Sequence, residues 1–235
     1  MAGLNFWTNE IESCGADAEC RAVKRINVSA AFFLSIEFQE TGGDVIRTQR
    51  AAFGKKSDTA ASRLTYLQFL RDARQVGNGV IVNEPGWQQT LEDNKQAYAE
   101  QVVTSSQFIT QYPLSQSADV FVDALFASAG VAPTPSERQE AINAFGAGGT
   151  AGRTAALRKV ADSQTLRAAE FRPAFVLMQY FGYLRRNPTD PPDSNDNGFQ
   201  FWFGKLNAFN GDYVKAEMVK AFIVSAEYRS RFGSP

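Results

Sequence analysis

The run Asp193-Ser194-Asn195-Asp196-Asn197-Gly198 has the spacing of a cation loop. In the order Asp-x-Asn-x-Asn-Gly, oxygens at positions one, three and five converge on a hard ion such as calcium, and the glycine makes the sharp turn. Asp193, Asn195 and Asn197 are therefore the candidate metal ligands, with calcium the candidate cofactor. The pattern then stops short, because position twelve, where a bidentate Glu would close the loop, is Gly204. The alternative is a solvated Asp and Asn turn that caps the next helix, helped by Pro188, Pro191 and Pro192.

Other chemistries lack their residues. The chain has no histidine, which removes Ser-His and Cys-His nucleophile pairs and imidazole acids or bases. Gly146, Gly148, Gly149 and Gly152 lack the Gly-Lys-Ser/Thr of a phosphate loop. Lys and Arg total 24 against 25 Asp and Glu, so no net field draws in nucleic acid. The short runs Lys55-Lys56, Arg71 with Arg74, and Arg185-Arg186 read as solvated faces. We assign no catalytic residue and expect a protein that is not an enzyme.

The aromatic residues offer a different use. Rings such as Phe6, Trp7, Phe201, Trp202 and Phe203 could stack on sugars or a pigment, since a flat apolar face with a polar edge suits both. Core packing is the stronger expectation for Trp7 and Trp202. Phe199 and Phe203 are the better candidates for exposure and ligand binding, Phe203 because Thr8 stands at its place in the first copy described next.

The elements that would position these residues repeat. Gly3-Leu4-Asn5-Phe6-Trp7 to Ile11 matches Gly198-Phe199-Gln200-Phe201-Trp202 to Leu206, and Trp87 to Leu91 is a weaker copy, so Trp7, Trp87 and Trp202 share one expected position. A following element, Phe32 to Phe38, parallels Phe222 to Tyr228, with echoes at Ser105 to Phe108 and Ala168 to Phe171. It places Glu37, Glu170 and Glu227 at one position. Catalysis needs a residue in one place, so a recurring carboxylate reads as structural, accepting hydrogen bonds from the start of the next segment. An opening helix is carried by Phe175 to Tyr180, Phe121 to Phe126 and Val45 to Phe53.

Apolar residues at steps of three and four argue for helices, as at Val23, Ile26, Ala30 and Phe33. Thr134-Pro135-Ser136-Glu137 has the order of a capping box and predicts a helix over 135–145, followed past the glycines by one over 154–171. Gly79-Val80-Ile81-Val82 is the only β-prone run. The predicted fold is all-α, made of repeated three-helix units: a partial unit over 1–40, a divergent one over 41–112, a third without Trp over 113–171, and a complete final unit over 172–235.

Overlaying the first and last units has two consequences. The step from Gly3 to Ser35 is five residues longer than that from Gly198 to Ser225, and Cys14 and Cys20 lie in the longer connection. They could close that loop as a disulfide in an oxidising compartment, or stay free thiols in a reducing one. The first unit also opens at its tryptophan helix, so either Met1 is an engineered start or another chain supplies the missing helix. The stretch from Met1 to Cys20 lacks the pattern of a secretory signal, and no apolar run approaches the ~20 residues of a membrane span.

Over Gly3–Ile11, Asn27–Phe38, Phe175–Pro188 and Gly198–Phe232 the sequence resembles the bacterial domain-of-unknown-function 4214 family. There a helix ending in an Arg-x-Pro-Asp type turn leads to a Gly-x-x-Trp helix and a closing Ser-x-Glu-Phe helix. Leu184 to Asp190 and Ser225-Ala226-Glu227-Tyr228 carry the pattern best. The resemblance implies a part of a large secreted or surface-layer bacterial protein, with no established catalytic residues. An oxidising exterior follows from that association, and it favours the Cys14 to Cys20 disulfide. The expected function is a non-catalytic assembly or anchoring module at the cell surface, its partner a second copy docked head to tail or a surface glycan. A carrier of a small ligand or pigment in an aromatic-lined pocket is the alternative.

Overall fold

The computed structural model describes residues 2–54 and 63–233, with side chains from Asn5 onward; Met1 and the Lys55-Lys56 run lie outside the described residues. The described residues form a multi-helix, all-α bundle without strands, and the run at Gly79 to Val82 is irregular. In chain order the helices are α1 (Ala2–Glu12), α2 (Ala18–Leu34), α3 (Ile36–Glu40), α4 (Gly42–Phe53), α5 (Tyr66–Val76), α6 (Trp87–Thr104) and α7 (Ser106–Gln111). There follow α8 (Ala118–Ala129), α9 (Pro135–Phe145), α10 (Gly149–Asp162) and α11 (Gln164–Gln179), which runs into a π-helical turn at Tyr180–Leu184. The chain ends in α12 (Asn197–Ala208), α13 (Met218–Ile223) and α14 (Ala226–Phe232).

The core is built from the predicted opening helices. Val45 and Ile46 of α4, Phe121, Val122, Leu125 and Phe126 of α8, and Phe175 to Met178 of α11 are all buried. Helix α10 packs on α9, α6 and α4, and α11 packs on α4 and α12. The junction of α9 and α10 depends on glycine. Gly146 and Gly148 hold positive φ, and a Cβ on Gly152 would meet the Phe145 carbonyl oxygen, so only glycine allows that approach.

Helix α9 has the predicted bounds, and its capping box forms, with Thr134 and Glu137 bonded to each other's backbone N–H. The helix predicted over 154–171 divides at Ser163. The reason is a local device that recurs at four serines, Ser35, Ser105, Ser163 and Ser225. Each takes extended backbone angles, donates its hydroxyl to the carbonyl three residues back, and accepts from the N–H three residues on. One side chain so ends a helix and caps the next. The apolar residues three on are Phe38, Phe108, Leu166 and Tyr228, with Phe108 and Leu166 fully buried. Ser163→Ala should cost about 1 kcal/mol in a urea titration, because both bonds are lost in a buried setting.

The serines revise the sequence alignment. Two residues after each stand Glu37, Gln107, Thr165 and Glu227, so Thr165 holds the place expected of Glu170. Trp7 and Trp202 lie one helix before the helix that ends at the serine. Trp87 instead begins α6, which itself ends at Ser105, and so has a different place.

Cys14 and Cys20 form a disulfide with Cα atoms 5.6 Å apart, closing the turn between α1 and α2. Asp17 caps α2 by accepting from the N–H groups of Glu19 and Cys20. Helix α2 reaches the rest of the bundle through Ala30, fully buried, and through Phe33, whose ring meets Phe38, Phe175 and Tyr183 edge-on.

Candidate functional site

The predicted cation turn is occupied by an arginine. Arg185 closes the π turn with φ +50, and the reversal sends Arg186 inward to 6% exposure, against the solvated face expected of the pair. Its Nε and Nη2 donate to the two oxygens of Glu227 at 2.8 and 3.0 Å, and Nη2 also reaches Asp193 Oδ2 at 2.7 Å. Nη1 donates to the carbonyls of Asn187, Asp190 and Pro188 at 2.9, 3.0 and 3.5 Å. This arginine thereby ties the turn after the π segment to α14. Glu227 accepts from the preceding turn and, at 3.4 Å, from Arg231 one turn further along α14.

The three candidate ligands are turned to separate tasks. Asp193 serves Arg186, Asn195 Oδ1 accepts from the Asn197 N–H, and the Asn197 side chain is exposed. Asp196, between them, pairs with Arg63. Among the described residues no three His, Cys, Asp or Glu side chains gather into a metal cluster. Glu37 is exposed, and Glu170 is buried against Arg50 at 3.1 Å.

Phe199 overturns the expectation of exposure. It is fully buried, with the Arg63 guanidinium 3.6 Å above its ring. Phe199, Phe203 and Leu206 stand at i, i+4 and i+7 on the inward face of α12, and Phe203 is half-buried against the core. Phe201, on the outward face, is the exposed ring. The hollow beside Phe199 holds ≈ 20 Å³, room for about one water. Trp202 and Trp87 pack against the core, and Trp7 packs on Phe6 and Phe32.

A second charged group lies inside the bundle. Arg47 of α4 donates Nε to the Ala161 carbonyl and faces Asp162 at 3.5 Å and Asp44 at 3.9 Å. Lys95 of α6 bonds Glu40 at 2.6 Å, and Arg167 of α11 bridges Glu40 and Asp162. Burial pushes the Asp44 carboxyl up to about 6, with Lys95 opposing it. The group cross-links α3, α4, α6, α10 and α11, and every member has an opposite charge nearby.

Between α4, α5, α6 and α7 lies an open cleft of ≈ 350 Å³. Its floor is Asp72 and Tyr98, each 1% exposed, and its walls carry Gln49, Gln68, Gln101 and Gln107. Asp72 accepts from Arg71 Nε at 2.6 Å and from the Tyr98 hydroxyl at 3.2 Å. Burial above all, and then the Asp72 carboxylate, pushes the Tyr98 hydroxyl well up, so it stays a neutral donor. Sequence reading missed this site because its residues come from separate helices and match no motif.

The last feature is apolar. Phe6, Val23, Phe32, Leu34 and Ile36, on α1 to α3, are 42–63% exposed. Among the described residues no helix is long and apolar enough to cross a membrane. Against protein-family models, curated proteins and solved structures, the chain gives no match.

Proposed function

We propose that this chain is a non-catalytic assembly module of a bacterial cell-surface or secreted protein, docking to a second copy of itself through the hairpin of α1 and α2. The observation that carries the reading is the exposed group Phe6, Val23, Phe32 and Leu34 on a hairpin whose turn the Cys14–Cys20 disulfide closes, with Ile36 at the start of α3 beside it. Phe6 of α1 and Phe32 of α2 both lie against the Trp7 ring, so the exposed rings form one continuous aromatic patch, and such patches mark contact surfaces. Charge favours a copy of the same chain as occupant. The hairpin turn exposes Glu12, Asp17 and Glu19, whereas Arg185, Arg229 and Arg231 are exposed at the last helix. Acidic turn against basic helix gives a head-to-tail contact, the geometry that extends into filaments or layers when it does not close. The disulfide suits an oxidising exterior, in keeping with the resemblance to surface-layer domains. Calcium at the Asp193 turn would act in that assembly by drawing Asp193 away from Arg186.

Mass-resolved sizing of the purified chain, from micromolar to millimolar concentration and with calcium or chelator, tests this. We expect concentration-dependent growth that salt weakens and that Phe6→Ser with Ile36→Ser abolishes without loss of helicity. A monomer at every concentration sinks the assembly reading, and sizes indifferent to chelator sink the calcium part alone.

A further inference from the structure

We propose that the cleft between α4, α5, α6 and α7 is a saccharide-binding site. This goes beyond the assembly reading and uses none of its residues. Gln49 is central. Its Nε2 donates to the Tyr98 hydroxyl at 2.9 Å and to Asp72 Oδ2 at 3.5 Å, and an ionised carboxylate can only accept, so the amide nitrogen faces the floor. Gln49 Oε1 is left as an acceptor for the cleft, held in place by two residues that are themselves buried. Such a chain fixes one polar group before any ligand arrives, which lowers the ordering cost of binding.

The walls supply the matching donors. Arg71 commits Nε to Asp72, while its side chain is 65% exposed and keeps both terminal nitrogens for a ligand. Gln68 uses Oε1 to complete the cap of α5, which leaves its Nε2 to donate. Gln101 and Gln107 are exposed on α6 and α7, each with a donor and an acceptor. Phe53 adds an apolar wall.

The chemistry of this lining selects its ligand class. Charges are matched in pairs, Arg71 with Asp72 and Arg63 with Asp196, so no surplus cation seeks a phosphate. Four amides, two guanidiniums that each have a carboxylate partner, and a ring suit a neutral molecule that carries many hydroxyls, each both donor and acceptor, on a ring with an apolar face. The volume of ≈ 350 Å³ lies in the ~300–1,000 Å³ range of small-molecule sites.

The test is calorimetric titration of the full chain with maltohexaose, cellohexaose, chitohexaose and xylohexaose. We expect saturable binding of at least one, weakened at least about tenfold by Gln49→Leu and by Arg71→Ala. Gln101→Ala and Gln107→Ala touch only exposed side chains and should weaken binding even if Gln49→Leu folds poorly. The double variant Phe6→Ser and Ile36→Ser should bind the sugar as the parent does, which separates this site from assembly. The proposal is overturned if none of the four sugars binds at about 10 mM, or if binding survives the cleft variants unchanged.

Discussion

Arg186→Ala is expected to destabilise the protein by about 3–5 kcal/mol, the scale for breaking a buried ion pair from one side. The guanidinium gives donors to Glu227, Asp193 and three carbonyls, and it is 6% exposed. Alanine would leave two carboxylates facing one cavity with no cation between them. It would also take the arginine's donors from the carbonyls of Asn187, Pro188 and Asp190, leaving Asn187 and Asp190 only the backbone N–H groups of Asp190 and Asp193. Arg186→Lys should recover less than half of the loss, since one ammonium cannot span a bidentate carboxylate and a ring of carbonyls together. Urea titration followed by near-ultraviolet circular dichroism reads both variants. A loss below about 1 kcal/mol for alanine would mean that the Asn187 and Asp190 hydrogen bonds hold the turn without the arginine.

The second large effect is a pH dependence centred on Asp44. Burial, opposed in part by Lys95, raises its carboxyl from 3.8 to about 6. A raised folded value means that the fold favours the neutral acid. The stability from this group is therefore full below its ordinary value and is lost as pH climbs through about 6, a change of about 3 kcal/mol. Glu137 works the other way. Burial tends to raise it, but hydrogen bonds from Thr165 and Thr134 hold it down to about 2, so its contribution is present above 4.5 and lost as pH falls toward 2. Urea midpoints for the parent and Asp44→Asn at pH 2 to 8 separate the two. The variant should gain on the parent steadily between pH 4 and pH 7 while both keep the acid loss that Glu137 causes. Parallel curves would show that Asp44 ionises in the fold without cost.

Local chemistry explains what could be read along the chain. The capping box at Thr134 and Glu137, the glycines after Phe145 and the apolar steps of α2 act within a few residues, and α2 and α9 form where the pattern places them. The disulfide spans six residues and is local in the same sense. The inward stripe Phe199, Phe203 and Leu206 was also legible as i, i+4 and i+7, and the expectation of exposure set that spacing aside. Ser163 has the serine and the apolar residue three on, without the Glu that marks the clearer copies.

Other features were decided only by the tertiary structure. Arg185 and Arg186 are adjacent and chemically alike, yet one is exposed and the other is buried, because the backbone reverses between them and a carboxylate from α14, 41 residues away, meets the second. The cleft joins Gln49, Asp72 and Tyr98 from three helices. The sequence by itself determined the all-α class, the capping box of α9 and the short loop that Cys14 and Cys20 could close, since each depends on contacts within about two helical turns. Which charges are buried and where the polar cleft lies depend on how separate helices meet, and no spacing along the chain encodes that distance.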